Sequence, residues 1–252
     1  MDLFFGTTNP GKLRELRRLV AGLPIRVVSP DDLGRPVPEV EENGRTFAEN
    51  AARKASALAR FTGMYALADD SGLCVDALGG APGVRSARWS DEEPGPEPAS
   101  AVCELPGVAA AELGPIAGRA ARDERNNDKL LASLRGVPDA RRGAEYQAVL
   151  ALARPDGTLV AGVSGACRGR IGRERRGTDG FGYDPLFIPT GGPMMPAPPN
   201  PPLAAGQPHP AAPALAHERT MAELRPDEKD AVSHRGEAFR RLLPVLERLG
   251  TP

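Results

Sequence analysis

Cysteine is scarce in this chain. Cys74, Cys103 and Cys167 are odd in number and widely scattered. They form neither a disulfide framework nor a metal-ligand spacing, and a reducing cytoplasm is the compartment they suit. A small buried side chain is the plain expectation for each. Charge of one sign is also missing: 32 basic residues face 33 acidic ones. That balance excludes a nucleic-acid coat and a polybasic membrane anchor. No apolar run approaches the ~20 residues of a membrane-spanning helix. Met1-Asp2-Leu3-Phe4-Phe5 lacks the basic region and long apolar core of a secretory signal. There is no internal repeat. What remains is 252 residues, enough for one large domain or two small ones.

The chain opens with a short buried strand, Leu3 to Thr7, followed by turn chemistry in Thr8-Asn9-Pro10-Gly11. A helix with Leu13, Leu16, Leu19 and Val20 on one face ends near Gly22, and Ile25 to Val28 reads as a second strand. This β-loop-α-β opening favours an α/β fold. Thr46-Phe47-Ala48-Glu49 has the form of a capping box, so a helix begins there and ends at Gly63. Tyr65 to Ala68 then reads as a short strand that stops at Asp69-Asp70, with a Ser71-Gly72 turn behind it. Residues 92–121 are rich in Ala, Pro and Gly and are expected to be a loose insertion, with a short helix from Asn126 to Leu134. Alternation from Tyr146 through Arg154, a turn at Arg154-Pro155-Asp156-Gly157 and a return over Thr158 to Val163 predict a hairpin, hence a mixed sheet. Residues 190–217 are proline-rich and offer little apolar surface, so a flexible loop is expected there. A C-terminal helix carries Leu242, Leu243, Val245, Leu246 and Leu249, with Pro244 as a kink or boundary.

Several segments could carry chemistry. Adjacent acids inside a strand would need desolvation, which is costly without a positive partner. At a strand end, Asp69 and Asp70 could instead hold Mg²⁺ or Mn²⁺ or orient a water. Thr7-Thr8-Asn9-Pro10-Gly11-Lys12 joins a strand to a helix start, where N–H groups, the dipole and a lysine favour phosphate. It lacks the Walker A spacing, and read alone an ordinary turn with a solvated lysine is the plainer explanation. Phe181-Gly182-Tyr183-Asp184 could stack on a base, or could be a turn pinned by core aromatics. Glu41-Glu42 and Ser233-His234-Arg235 read, one by one, as a solvated acidic loop and a surface helix start.

Taken together these blocks resemble the non-canonical purine nucleoside triphosphate pyrophosphatases, the inosine/xanthosine triphosphatase family. The matching stretches are Phe5 to Leu16, Glu41 to Ala51, Ala68 to Val84 with Ser86 to Trp89, Gly180 to Phe187, and Glu228-Lys229 through Gly236. Five blocks in the family's order span the chain. The resemblance implies one α/β domain over residues 1–252, with an elongated mixed central sheet, flanking helices and an active-site cleft between two lobes. It also implies a homodimer; a cytoplasmic protein without nucleic-acid or membrane partners is the expectation from the composition above. The implied reaction hydrolyses ITP, dITP or XTP to the monophosphate and pyrophosphate, which cleanses the nucleotide pool.

Residue roles follow from the same resemblance. Thr7, Thr8, Asn9, Pro10, Gly11 and Lys12 would hold the triphosphate, with Lys54 adding a second positive charge. Asp70 would be the general base and a Mg²⁺ ligand, with Mn²⁺ as a substitute. Glu41 would be the second acid, with Glu42 as the alternative, and Asp69 could share the task. Ser71 would touch the substrate. Phe181 would stack on the base, with Gly182, Tyr183 and Asp184 completing that wall. Lys229, His234 and Arg235 would contact base and phosphate. A pyrophosphatase for modified pyrimidine or methylated nucleotides, and a binding protein that recruits a partner through its proline-rich loop, are the rival readings.

Overall fold

A computed structural model describes residues 1–91, 115–190 and 218–250. Six strands form one mixed sheet in the order β2-β1-β3-β4-β5-β6. They are β1 (Asp2–Phe5), β2 (Arg26–Val28), β3 (Tyr65–Val75), β4 (Gly143–Ala153), β5 (Leu159–Ile171) and β6 (Phe187–Pro189). β1 runs parallel to β2 and β3, and the remaining pairings are antiparallel. The helices are α1 (Pro10–Leu19), α2 (Phe47–Thr62), α3 (Pro115–Ser133), α4 (Pro226–Val232) and α5 (His234–Gly250). The mixed α/β sheet and the 143–171 hairpin match the reading of the sequence.

Local chemistry explains the element ends. Asn9 caps α1 with its side-chain oxygen, and Pro10 follows at a position where a missing N–H does no harm. Thr46 caps α2, and Gly63 closes it in the left-handed region at φ 70°. Glu49 does not complete the expected capping box; its carboxylate accepts from the Arg45 N–H at 2.8 Å, one residue earlier. Pro244 sits inside α5 without ending it.

Strand alternation assigns the core. Phe4, Ala66, Ala68, Ala151 and Ala153 face α2, whose Ala51, Ala55 and Leu58 complete that layer. Leu3, Phe5, Leu67, Leu150 and Leu152 face α1 and α5. Farther along the same face, Leu73, Val75 and Tyr146 join Leu130 of α3 and Leu134 just beyond its end in a separate cluster. Burying each such Leu or Phe contributes about 1.5–3 kcal/mol. Between these two clusters, at Asp69 and Ser71, the face turns polar.

Two expectations about the extent of elements fail. β3 does not stop at Ala68: it continues through both acids and Ser71-Gly72 to Val75, paired with β4 throughout. Charges supplied from elsewhere in the fold permit this. α3 starts at Pro115, so residues 115–121 belong to a helix rather than to an insertion, and the helix is longer than 126–134. The Ala and Gly content there misled the reading. The segments 92–114 and 191–217 and Cys103 lie outside the described residues. Cys167 is buried and Cys74 half-buried. Burial pushes their thiols up to about 12 and about 11, as inert structural cysteines require. Among the described residues no helix is long and apolar enough to cross a membrane.

Candidate active site

The site forms where β1 gives out. Phe5 is the last β1 residue paired with β3, opposite Leu67. Beyond it the chain turns away as Thr7 to Lys12, and β3 continues with Asp69, Asp70 and Ser71. The loop's N–H groups are largely in use. Thr7 donates to the Phe5 carbonyl, Asn9 to Thr7 Oγ1 at 3.1 Å, and Gly11 to Asn9 Oδ1 at 2.8 Å, with Lys12 at 3.4 Å. The expected cradle of backbone donors is therefore mostly committed to the loop itself. The Thr7 and Thr8 hydroxyls, the Asn9 amide nitrogen, the Lys12 ammonium and the helix dipole remain as its means of attracting phosphate.

Asp69 and Asp70 point to opposite faces of β3, because side chains alternate along a strand. On the α1/α5 face, Asp69 Oδ2 accepts from Lys12 Nζ at 2.8 Å and from Arg235 Nε at 3.0 Å. Lys12 and Arg235 each also donate to Ser71 Oγ at 3.1 Å. Arg235 continues to Glu15 at 2.5 Å, Glu15 to Lys229 at 3.0 Å, and Lys229 to Asp184 at 2.7 Å. Three cations and three carboxylates thus alternate in a mostly buried chain. Burial pushes the Glu15 carboxyl up, but Arg235 and Lys229 outweigh it and hold it at about 2. Burial opposes the charge of Asp69 too, and Lys12 and Arg235 again win, holding it well below the usual carboxylate range.

On the α2 face, Asp70 is differently placed. It accepts from Asn50 Nδ2 at 2.9 Å and from the Ser71 N–H at 3.1 Å. Burial pushes its carboxyl up to about 6, opposed by the Asn50 hydrogen bond and reinforced by the nearby Glu42 carboxylate. Lys12 and Lys54 act on it electrostatically without pairing. Lys54 instead forms a close ion pair with Glu42. The second acid beside Asp70 is therefore Glu42. Glu41, expected in that role, is exposed and accepts from Asn43 at 3.1 Å. Asp69, expected as a residue that could share this task, faces the other way and is paired with Lys12 and Arg235.

The aromatic loop divides in two. Phe181 and Gly182 are half-exposed, whereas Tyr183 and Asp184 are buried. The Phe181 ring lies over Lys229 Nζ at 4.6 Å and over the Arg235 guanidinium at 5.4 Å. It also packs onto the phosphate loop: a Cβ at Gly11 would stand only 2.4 Å from a carbon of the ring. Tyr183 is not part of an open wall, because its hydroxyl donates to the Ser86 carbonyl at 3.0 Å within the core. Asp184 Oδ2 accepts from the Phe181 N–H at 2.9 Å as well as from Lys229, so it holds the loop from within. From α3, Asp123 accepts from the Gly182 N–H and Asn127 donates to the Gly182 carbonyl, each at 2.9 Å. His234 is buried and stacked on Tyr146, with centroids 4.6 Å apart and planes 8° apart. Burial and then Arg235 hold its pKa well below the usual value, so it is a neutral ring in the interior.

The structure thus gathers Thr7 to Lys12, Ser71, Phe181, Lys229, His234 and Arg235 on one side of β3, and Asp70 with Glu42 and Lys54 on the other. Sequence reasoning missed Glu15, Asn50, Asp123 and Asn127 as members. A signal existed for two of them. Glu15 lies one turn after Lys12, and Asn50 one turn before Lys54, on shared helix faces.

Known proteins resemble this chain over its whole length. The Ham1 family model matches residues 3–102, 98–197 and 210–245. A dITP/XTP pyrophosphatase of Anaeromyxobacter dehalogenans is 70% identical, with 99% of this chain and 98% of that protein covered. One of Streptomyces avermitilis is 42% identical, with 98% of each covered. The solved structure of a HAM1 protein from Coxiella burnetii superposes with a TM-score of 0.68 at 32% identity, covering 98% of this chain and 99% of that one. A nucleoside-triphosphatase / dITP/XTP pyrophosphatase from Mycobacterium abscessus gives 0.61 at 37% identity, covering 97% and 100%. Matched from the first strand to the last helix by the family model and by full-length relatives, the chain belongs to the Ham1 family.

Proposed function

We propose that this chain, acting as one domain, is a nucleoside triphosphate pyrophosphatase. It would hydrolyse ITP, dITP and XTP between the α and β phosphates, giving the monophosphate and pyrophosphate. The observation that carries the reading is the Asp70 carboxylate, hydrogen-bonded to Asn50, raised to about 6 yet ionised at neutral pH, and within electrostatic range of Lys54 and of Lys12 from the phosphate-ready loop. Relatives up to 70% identical that bear the name dITP/XTP pyrophosphatase support it.

The geometry supports the following roles. Thr7, Thr8, Asn9 and Lys12 attract the polyphosphate, with Pro10 and Gly11 shaping the turn and Lys54 adding positive potential. Asp70 accepts a proton from the attacking water, a task suited to a carboxyl tuned near the working pH. A divalent cation fits two carboxylates rather than a closed cage. Among the described residues no group of three or more His, Cys, Asp or Glu could hold a metal alone. Mg²⁺ commonly takes one or two carboxylates and completes its shell with substrate phosphates and water, so Asp70 and Glu42 would suffice. Bound there, Mg²⁺ or Mn²⁺ would supply neutralisation of phosphate charge.

Phe181 supplies the stacking face. Beneath it, Lys229 donates to Asp184 and Glu15, and an ammonium has three N–H groups, so one remains for a substrate oxygen such as a purine 6-keto group. A 6-amino group would leave that donor unpaired, which favours hypoxanthine and xanthine over adenine. Gly182, Tyr183, Asp184 and His234 support this surface from within, and Ser71 and Arg235 tie it to Asp69. The enzyme is further read as a cytoplasmic homodimer, which light scattering of the purified protein tests.

Purified protein with Mg²⁺ should release pyrophosphate from ITP. Release of orthophosphate alone would refute the reading.

A further inference from the structure

We propose that Asn50 is a positioning residue that locks the Asp70 carboxylate and the Glu42 loop into one geometry. The proposal rests on the reading of Asp70 as base and cation ligand. Asn50 lies on α2 and is almost fully buried. Both ends of its amide are committed. Nδ2 donates to Asp70 Oδ2 at 2.9 Å, and Oδ1 accepts from the Gly44 N–H at 2.7 Å. The partners dictate this orientation: Gly44 offers only an N–H there, and an ionised carboxylate only accepts.

The loop is held at two further points, and it packs closely on Asn50. Lys54, one turn along α2, pairs with the Glu42 side chain. The Arg88 guanidinium donates to the Glu42 carbonyl at 3.0 Å. Gly44 itself presses against the amide, because a Cβ there would stand 2.5 Å from Asn50 Oδ1 and 2.9 Å from Glu49 Cβ. One face of a rigid helix therefore fixes the strand that carries Asp70 relative to the loop that carries Glu42. The residue type follows from this. Aspartate would turn a second acceptor toward Asp70, and glutamine would push the loop outward by one methylene. A merely structural Asn50 would matter for stability but not for the relation between the two acids.

The test uses the full chain with Asn50→Ala, Gly44→Ala and Asp70→Asn. Mn²⁺ binding is followed by electron paramagnetic resonance, with an ITP analogue bearing a methylene between the α and β phosphorus atoms. The kcat and KM for ITP are measured in parallel across Mg²⁺ concentrations. Asn50→Ala should weaken Mn²⁺ binding and lower kcat about 10–100-fold, as loss of a group orienting a metal ligand does. KM for ITP at saturating Mg²⁺ should stay within about twofold, since no phosphate or base contact is removed. Gly44→Ala keeps both buried partners but pushes on the amide, and should shift Mn²⁺ affinity and kcat the same way by a smaller factor. Cooperatively folded Asn50→Ala with wild-type Mn²⁺ affinity and kcat overturns the proposal. If Asn50→Ala fails to fold, Gly44→Ala decides: weakened Mn²⁺ binding supports it, and unchanged binding overturns it. Asp70→Asn separates the two levels. Wild-type turnover there defeats the reading of the site itself, whereas an inactive Asp70→Asn beside unaffected Asn50 and Gly44 variants defeats the Asn50 proposal alone.

Discussion

On one face of β3 the Asp69 carboxylate sits between Lys12 and Arg235; on the other, one residue later, the Asp70 carboxylate has an amide for its partner and a second acid nearby. Both side chains are aspartates, and both are buried. Their environments drive them apart. The first is a fixed charge that holds cations in place. The second is kept close to its protonation equilibrium, where it can take up and release a proton. The pair teaches that burial alone does not set the chemistry of an acid: the count of cations within hydrogen-bonding reach decides it.

The comparison breaks most directly at Asp70. Asp70→Asn should cut turnover of ITP about 10³-fold. It should also stabilise the fold. A carboxyl raised to about 6 in the folded state contributes stability only at low pH and loses it as pH rises toward and past 6. Removing the charge should therefore stabilise the protein by on the order of 1–3 kcal/mol at pH 8, read as a higher Tm. A lower Tm in the inactive variant would remove the asymmetry.

Asp69→Asn should do the reverse. It leaves Lys12 and Arg235 without their shared counter-ion, which costs about 3–5 kcal/mol when a buried partner is lost. Denaturant midpoints measure this. The wild-type pairing is present above the ordinary carboxylate range and fades as pH falls. Glu15 should lose its share between 4.5 and about 2. A wild-type midpoint that did not drop across that window would show that the chain of ion pairs contributes little.

A third variant probes the contact between the phosphate loop and the stacking ring. Gly11→Ala places a methyl against Phe181. KM for ITP should rise about tenfold, with kcat less affected, and equal losses in both would relocate the contact to the transition state.

The smallest effects sharpen the choice between the two loop acids. Turnover should fall at low pH with a limb near the Asp70 value of about 6. Glu42→Gln removes a like charge and should move the acidic limb of kcat/KM to lower pH, while raising the Mg²⁺ concentration needed for half-maximal rate because a proposed cation ligand is lost. Glu41→Gln should leave the limb where it is, and a shift there would restore Glu41 to the site.

Much of the fold was legible because it is local. Asn9 and Pro10 start α1, Thr46 and Gly63 bound α2, and the 154–157 turn joins β4 to β5 through chemistry contained in a few residues. The length of β3 was not legible. Asp69 and Asp70 interrupt an apolar run, and the cation that makes Asp69 tolerable, Arg235, lies 166 positions away in sequence. The site showed the same division. Its motif blocks could be recognised one after another, while the pairings of Glu15 with Arg235 and Lys229, the burial of His234, and Glu42 rather than Glu41 beside Asp70 could not.

By itself the sequence determined most of the elements, the bounds of the capped helices α1 and α2, and which residue types carry charge, stacking and proton transfer. Those properties rest on caps, turns and periodicity, which act over a few bonds. Only the tertiary structure decided which acid became an anchor and which a base. Electrostatic partnership depends on distance through space, and the fold brings the start of the chain and its last helix to one strand.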